Sequence, residues 1–163
     1  MPEGEEIALD SRKREHIDNE QCFCFTLKDK KECEEYKIKY PEVMFVRNEP
    51  TPIYNCHGLT FGGRRTTIWQ REAVKQILDE DNYNEISRSE VKPGDVMMYI
   101  EPESGDYVHS GVVVHEIQAI LGANDSGRQL VIVSKWGKYK EVMHTETYCP
   151  YSPVGAKFYR VKG

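Results

Sequence analysis

The sequence predicts an α+β domain in which helices in the N-terminal half pack on a central antiparallel β-sheet. Two observations predict this class. Helical patterns lie between residues 26 and 80, whereas β-rich runs dominate from residue 92 onward. The links between these runs are short and rich in turn formers, so strands follow one another without the intervening helices of a parallel sheet.

The composition fits one domain. The chain has 163 residues, a formal net charge of -5 and a hydrophobic fraction of 39%, and ~100 to 200 residues is the usual size of a single core. The acidic balance excludes broad nucleic-acid binding, and no apolar stretch approaches the ~18 residues of a membrane span. The N-terminus lacks an export signal, which predicts synthesis in the cytoplasm. Five cysteines, an odd number, favour a reducing compartment.

The first 50 residues contain one predicted helix. Residues 1–20 are polar and aperiodic, which predicts an N-terminal tail, and residues 21–163 form the domain. The helix begins at Thr26, which forms a capping-box pattern with Asp29, and ends before Pro41. Residues 43–47 are typical of a short strand. Two prolines then predict extended backbone up to residue 55.

Two further helices and four strands are predicted beyond this point. A short helix begins at Cys56 and ends at Gly62 and Gly63. A longer helix follows, with Thr67 as its cap and one broad apolar face. That face comprises Ile68, Val74, Ile77 and Leu78. The β-rich runs are residues 92–100, 108–117, 130–137 and 157–162, with a turn predicted over 121–128.

Cys56 is predicted to be a nucleophile. It lies where an extended segment turns into a helix, so free backbone N–H groups and the positive end of the helix dipole lie beside its sulfur. Such surroundings lower a thiol pKa, and the free backbone N–H groups could donate to an oxyanion. Gly58 is predicted to let a substrate approach. His57 is expected to cap the helix or contact substrate rather than act as the base.

His109 is the predicted base, because it begins a β-run that would hold its imidazole firmly. A third polar group should orient that imidazole. Ser134, on the following strand, has the reach to do so. No metal is predicted, because Cys22, Cys24 and Cys33 match no common zinc spacing.

Three segments resemble the NlpC-type peptidases of the papain-like superfamily and the related CHAP amidases. YNCHGLTF resembles the family's nucleophile segment, KPGDVMMY resembles its strand after a Pro-Gly-Asp turn, and HSGVVV resembles its base strand. They occur in the family's order within residues 53–140. The resemblance implies a papain-like fold with Cys56 as nucleophile and His109 as general base and later acid.

The same resemblance implies the remaining site residues. The family usually carries His, Asn, Gln or Glu as the third catalytic residue. This chain offers Ser134 or Lys135 there, with His144 as a substitute if the chain folds back over the sheet. Substrate contacts are then expected from five residues. These are Tyr54, His57, Gly58, Trp136 and His144, with core or cleft wall as the alternative for Trp136.

The implied function is hydrolysis of an amide bond without a cofactor, with bacterial peptidoglycan peptides as the family's usual substrate. A small hydrolase of this kind is expected to be a lysin or an antibacterial toxin. It would be delivered by a dedicated secretion system to the periplasm of a target cell, and a toxin implies a cognate inhibitor or immunity protein as a partner. Two alternatives stay open: a deamidase, transglutaminase or acyltransferase acting on a protein or lipid, and an inactive papain-like binding module.

Overall fold

The computed structural model describes residues 4–118 and 128–163. Within these ranges the chain forms an α+β fold with a seven-stranded antiparallel sheet, as the sequence predicts. The helices are α1 (Leu27–Lys39), α2 (Cys56–Phe61) and α3 (Arg71–Glu80), with a 3₁₀ turn at Arg88–Glu90. The strands are β1 (Phe45–Asn48), β2 (Tyr83–Ile86), β3 (Val96–Ile100), β4 (Tyr107–Gln118), β5 (Arg128–Lys135), β6 (Glu141–Thr145) and β7 (Lys157–Val161). Their order across the sheet is β1-β6-β5-β4-β3-β7-β2.

The first helix confirms its sequence pattern. The side chain of Thr26 accepts a hydrogen bond from the backbone of Asp29, and the Asp29 carboxylate accepts one from the backbone of Thr26. The helix buries none of its residues fully, but Tyr36 and Tyr40 pack edge-on against Trp136. Two aromatic contacts therefore fix α1 to one face of the sheet.

The sheet carries apolar side chains on both faces, because successive strand residues alternate in direction. Met97 and Tyr99 of β3 lie in a cluster with Trp136, on the face that α1 covers. Met98 points the other way, into a second cluster with Ile77 of α3. The buried face of α3 thus confirms its helical pattern, although α3 begins at Arg71, after Gln70. Thr67 as its cap is wrong: this residue is buried and its hydroxyl bonds to the Ile53 carbonyl.

The N-terminal segment corrects the predicted tail. Residues 4–20 pack on the domain, with the Ile17 side chain only 1% exposed beside Ile68. Asn19 is buried and its Oδ1 accepts a hydrogen bond from the Thr66 hydroxyl at 2.6 Å. Backbone bonds also join Glu20 to residue 67. The sequence does not reveal these contacts, because a single apolar residue in a charged segment produces no hydrophobic periodicity.

Two strands, β2 and β6, were not predicted, and the turn expected over 121–128 lies almost entirely outside the described residues. β6 pairs with β5 and places His144 opposite Ile132. The chain therefore folds back beside β5, within the sheet. None of the helices in the described ranges has the length and apolar character that a membrane crossing requires.

Candidate active site

The Cys56 thiol sits at the first residue of α2, and Asn55 fixes this position. The Asn55 side-chain oxygen accepts hydrogen bonds from the backbone N–H of Gly58 at 2.9 Å and of Ile68 at 3.1 Å. Its amide donates to the Ile68 carbonyl at 2.9 Å. One buried side chain thus caps α2 and joins the helix to the segment that leads into α3. The sulfur is held on rigid backbone as a result.

Cys56 lines a small cleft of about 130 Å³. Trp69 and Val108 are partly exposed at this cleft, and Tyr151 forms another part of its wall. Cys56 itself is only 5% exposed, and His109 is completely buried. A ligand in the cleft would therefore contact Cys56 and not His109.

Two imidazoles act on the Cys56 thiol. Burial alone would raise its pKa, but the electrostatic effects of His57 and His109 outweigh burial and hold the pKa of Cys56 well below its usual value. Burial raises the pKa of Cys22, Cys33 and Cys149, and all five cysteines are free thiols. Of the thiols with a shifted pKa, Cys56 is the one that favours the thiolate, which is the nucleophilic form.

The imidazole of His109 projects from β4 and is held by aromatic packing. It stacks on Tyr151 with ring centroids 3.9 Å apart and planes 7° apart, and it tilts against Tyr99 at 5.1 Å. Neither ring nitrogen hydrogen-bonds a partner among the described residues. Burial lowers the pKa of His109, and the positive charge of His57 lowers it further, while Cys56 raises it. The ring is thus fixed in place by packing, and both of its nitrogens are buried.

Ser134 does not orient His109, contrary to the sequence expectation. Its oxygen lies 2.6 Å from Nε2 of His144 and accepts from the indole N–H of Trp136 at 3.1 Å. The Nδ1 of His144 faces the Thr145 carbonyl at 2.7 Å, so it carries the proton and Nε2 accepts from Ser134. Ser134 and His144 therefore satisfy each other inside the core.

The two alternatives for the third role make no hydrogen bond to His109 either. Burial lowers the pKa of His144 to about 3, so the ring is neutral. The Lys135 amine donates to the Thr51 carbonyl at 2.9 Å and to the Gly137 carbonyl at 2.8 Å. Burial lowers the pKa of Lys135 to about 7. Lys135 joins two backbone segments and does not reach the base.

Most of the predicted substrate contacts lie away from the cleft. Trp136 and His144 are completely buried, so neither can touch a substrate in this structure. Tyr54 is buried and its hydroxyl donates to Glu141 at 2.8 Å. A Cβ on Gly58 would lie 1.8 Å from the Thr66 carbonyl oxygen. Gly58 therefore admits the neighbouring backbone rather than a substrate.

His57, the last of these predicted contacts, does line the cleft, but it is only 3% exposed. Its Nδ1 lies 2.8 Å from the Ser110 hydroxyl and its Nε2 lies 2.8 Å from the Tyr107 carbonyl. Both ring nitrogens are thus committed to β4. Sequence reasoning missed Ser110 and Tyr151 as partners of the two histidines, because neither belongs to a motif for such a role.

Metal-ligating atoms in the described ranges come together at one place. This is an exposed group formed by Glu6, His16 and Asp18, far in sequence from the cleft. Exposed acidic groups are common without a metal, and Cys22, Cys24 and Cys33 do not join such a group.

Comparisons with protein-family profiles, curated proteins and solved structures found no match to this chain. The chemical reading of the site therefore depends on its geometry. The site suits nucleophilic attack on an electrophilic carbon for three reasons. The Cys56 thiol is buried and has a lowered pKa, two imidazoles lie within electrostatic range, and Cys56 lines a cleft.

Proposed function

We propose that the protein is a cysteine hydrolase of the papain-like, NlpC-type class that cleaves an amide bond by acyl transfer through Cys56. The observation that carries this proposal is the Cys56 thiol, whose pKa is lowered by two imidazoles although the side chain is buried. A purely structural cysteine in an apolar core has the opposite tendency, because burial raises its pKa.

The reaction follows from the two groups. The Cys56 thiolate attacks the amide carbonyl carbon, the C–N bond breaks, and His109 gives the leaving nitrogen a proton that it has taken up from solvent. The products of this step are a thioester on Cys56 and a free amine. Water then attacks the thioester and loses a proton to His109, the C–S bond breaks, and a carboxylic acid leaves. The thiolate is restored, and His109, whose pKa is lowered, returns its proton to solvent.

The fold supports this class at the level of architecture. The nucleophile begins a short helix that packs on β4 and β5, and the base stands on β4 at the centre of an antiparallel sheet. These positions are compatible with the papain-like fold that the sequence resemblance implies. The third catalytic residue of the family has no counterpart that hydrogen-bonds His109 in the described ranges, where Tyr151 stacks on the ring instead.

The substrate we propose is a peptide, with bacterial peptidoglycan peptides first. A cleft of about 130 Å³ bordered by Trp69, Val108 and Tyr151 lies beside Cys56, and cell-wall peptides are the usual substrate of the family that the chain resembles. A delivered toxin or lysin with a cognate inhibitor would use such an activity outside the producing cell.

Release of new amino groups from purified peptidoglycan fragments tests the proposal. We expect Cys56→Ala and His109→Asn each to lower the rate at least ~1,000-fold, as removal of a nucleophile or its base does in other enzymes. Cys24→Ala is the matched control and should retain the parent rate. Equal rates for Cys56→Ala and the parent would reject the proposal.

The narrow cleft also favours a second candidate, hydrolysis of the side-chain amide of glutamine, because a side chain can enter where a folded backbone cannot. Intact-mass analysis of protein substrates separates the two reactions. Deamidation changes the mass without shortening the chain, whereas peptide hydrolysis yields fragments. Both reactions require Cys56. An inactive binding module would show neither.

A further inference from the structure

We infer that His57 is a resident imidazolium that serves as the fixed counter-cation of the Cys56 thiolate, leaving His109 free to carry protons. This inference rests on the proposed function for its catalytic meaning, but the charge of His57 follows from hydrogen bonds alone. The sequence suggests only capping or substrate contact for this residue.

The first step concerns Nδ1 of His57, which ends a chain of hydrogen bonds that runs from the Cys56 carbonyl through the hydroxyls of Thr60 and Ser110. The Thr60 hydroxyl lies 2.9 Å from the Cys56 carbonyl, which can only accept, so Thr60 donates. The Ser110 hydroxyl donates to Thr60 at 2.9 Å. The single hydroxyl proton of Ser110 is therefore committed to Thr60. The Ser110 oxygen lies 2.8 Å from Nδ1 of His57 and must accept a hydrogen bond from it. Nδ1 of His57 consequently carries a proton.

The second step concerns Nε2. This nitrogen lies 2.8 Å from the backbone carbonyl of Tyr107, which again can only accept. Nε2 therefore carries a proton as well. An imidazole with protons on both nitrogens is positively charged.

The third step identifies the compensating charge. His57 is 3% exposed, so an unpaired cation there would be costly. None of the described carboxylates forms an ion pair or hydrogen bond with this ring. Cys56 on α2, Tyr107 and Tyr151 border the same cleft as this ring, and His109 on β4 is affected by its charge. Burial raises the pKa of Tyr151, and the negative group whose attraction acts on His57 is Cys56. The thiolate is thus the anion that balances His57.

The two histidines then have different tasks. Burial lowers the pKa of His57, but the attraction of Cys56 exceeds burial and raises it overall. At His109, Cys56 raises the pKa, but burial together with the charge of His57 exceeds this effect and lowers it overall. Ser110 and Tyr107 hold His57 in place as a cation. The buried nitrogens of His109 have no hydrogen-bond partner among the described residues, so this ring can gain or lose its proton during turnover. His57 is a positioning residue for charge, and His109 is the proton carrier.

A pH titration of thiol alkylation at Cys56 tests the inference without any substrate. We expect His57→Gln to raise the apparent pKa of Cys56 by about 1 to 3 units, so that alkylation near pH 6 slows roughly 10-fold or more. Ser110→Ala, which removes the Nδ1 acceptor, should shift the pKa in the same direction. His109→Asn should leave most of the thiolate in place. His16→Gln, at an exposed histidine, is the control and should match the parent.

Nuclear magnetic resonance of the parent protein supplies a reading that does not depend on a variant. At neutral pH both ring nitrogens of His57 should carry protons, and Cys56→Ala should remove one of them. A neutral His57 ring in the parent, or a larger shift with His109→Asn than with His57→Gln, would overturn the inference. A His57-dependent thiolate without amide hydrolysis would instead reject the proposed function and leave the inference intact.

Discussion

At the scale of single residues, the His109 ring is held by stacking on Tyr151, although a third catalytic residue that hydrogen-bonds the ring is expected from the sequence. Tyr151 lies parallel to the His109 ring at 3.9 Å and also borders the cleft. A stacked ring limits tilting of the imidazole but leaves its nitrogens unoccupied. The base is therefore oriented by ring packing, and no carboxylate of residues 4–118 and 128–163 hydrogen-bonds it.

Replacement of Tyr151 should affect turnover more than folding. Tyr151→Leu removes the stacked ring, and since such pairs contribute about 0.5 to 1.5 kcal/mol, we expect kcat to fall roughly 3- to 10-fold. Tyr151→Phe keeps the ring and should retain nearly all of the parent kcat. Steady-state rates on the peptide substrate, with Cys56 alkylation as a check of the site, decide this. Equal losses in the two variants would show that the hydroxyl, and not the stacking, matters.

At the scale of elements, the approach of α2 to residue 66 positions the nucleophile. A Cβ on Gly58 would meet the Thr66 oxygen at 1.8 Å, whereas one on Gly62 would have its nearest contact at 3.1 Å. The first distance requires the backbone to move, and the second requires only a small adjustment.

Gly58→Ala should consequently destabilise the protein, although alanine is about 1 kcal/mol better than glycine inside an isolated helix. We expect a loss of about 1 to 3 kcal/mol in the free energy of unfolding, as for other overpacked sites, together with slower alkylation of Cys56. Gly62→Ala should have a smaller effect on both. Urea unfolding and the alkylation rate measure these changes. A Gly58→Ala protein as stable as the parent would contradict the packing described for α2.

At the scale of the whole molecule, buried titratable groups couple stability to pH. Burial lowers the pKa of His144 from 6.5 to about 3. Between these values the unfolded chain binds a proton that the folded chain does not, so stability increases as pH rises through this range. The slope from one such group is at most about 1.4 kcal/mol per pH unit. His109, with its lowered pKa, contributes in the same direction.

His144→Gln should therefore flatten the rise in stability between about pH 4.5 and 6.5, even though loss of the buried ring lowers stability at every pH. Urea unfolding at several pH values gives the slope for the variant and the parent. His16→Gln serves as the exposed comparison and should keep the parent slope. If His144→Gln kept the full parent slope, His144 would not be the neutral buried group described here.

The sequence predicts much of the fold and the two central residues of the site. Three features can be read from neighbouring residues in the sequence, because they depend on local patterns. They are the cap at Thr26, the apolar face of α3 and the β-rich runs. Cys56 is recognisable because it begins a helix, and His109 because it lies near the start of a strand. The roles of Ser110 and Tyr151 depend on contacts between residues distant in the chain, which no spacing reveals.

Ser134 illustrates the opposite error, because its position on β5 is predicted correctly but its partner is not. Its hydroxyl bonds to His144 on β6, a strand that the sequence did not predict. The same gap explains the assignment of Trp136 and His144 to substrate contact. Once β6 is in the sheet, both side chains lie in the core. Side-chain partners across a sheet require the strand order, which single-sequence patterns do not give.

The most direct measurement of the central claim is the pH dependence of alkylation at Cys56 in the parent protein, with each adduct located by mass spectrometry. Cys22 and Cys33, whose pKa is raised by burial, are internal references. The account predicts that Cys56 reacts at half its maximal rate well below the free-cysteine pKa of about 8.5, and ahead of both references. A Cys56 rate that rises only near about pH 8.5, or together with Cys22 and Cys33, would contradict it.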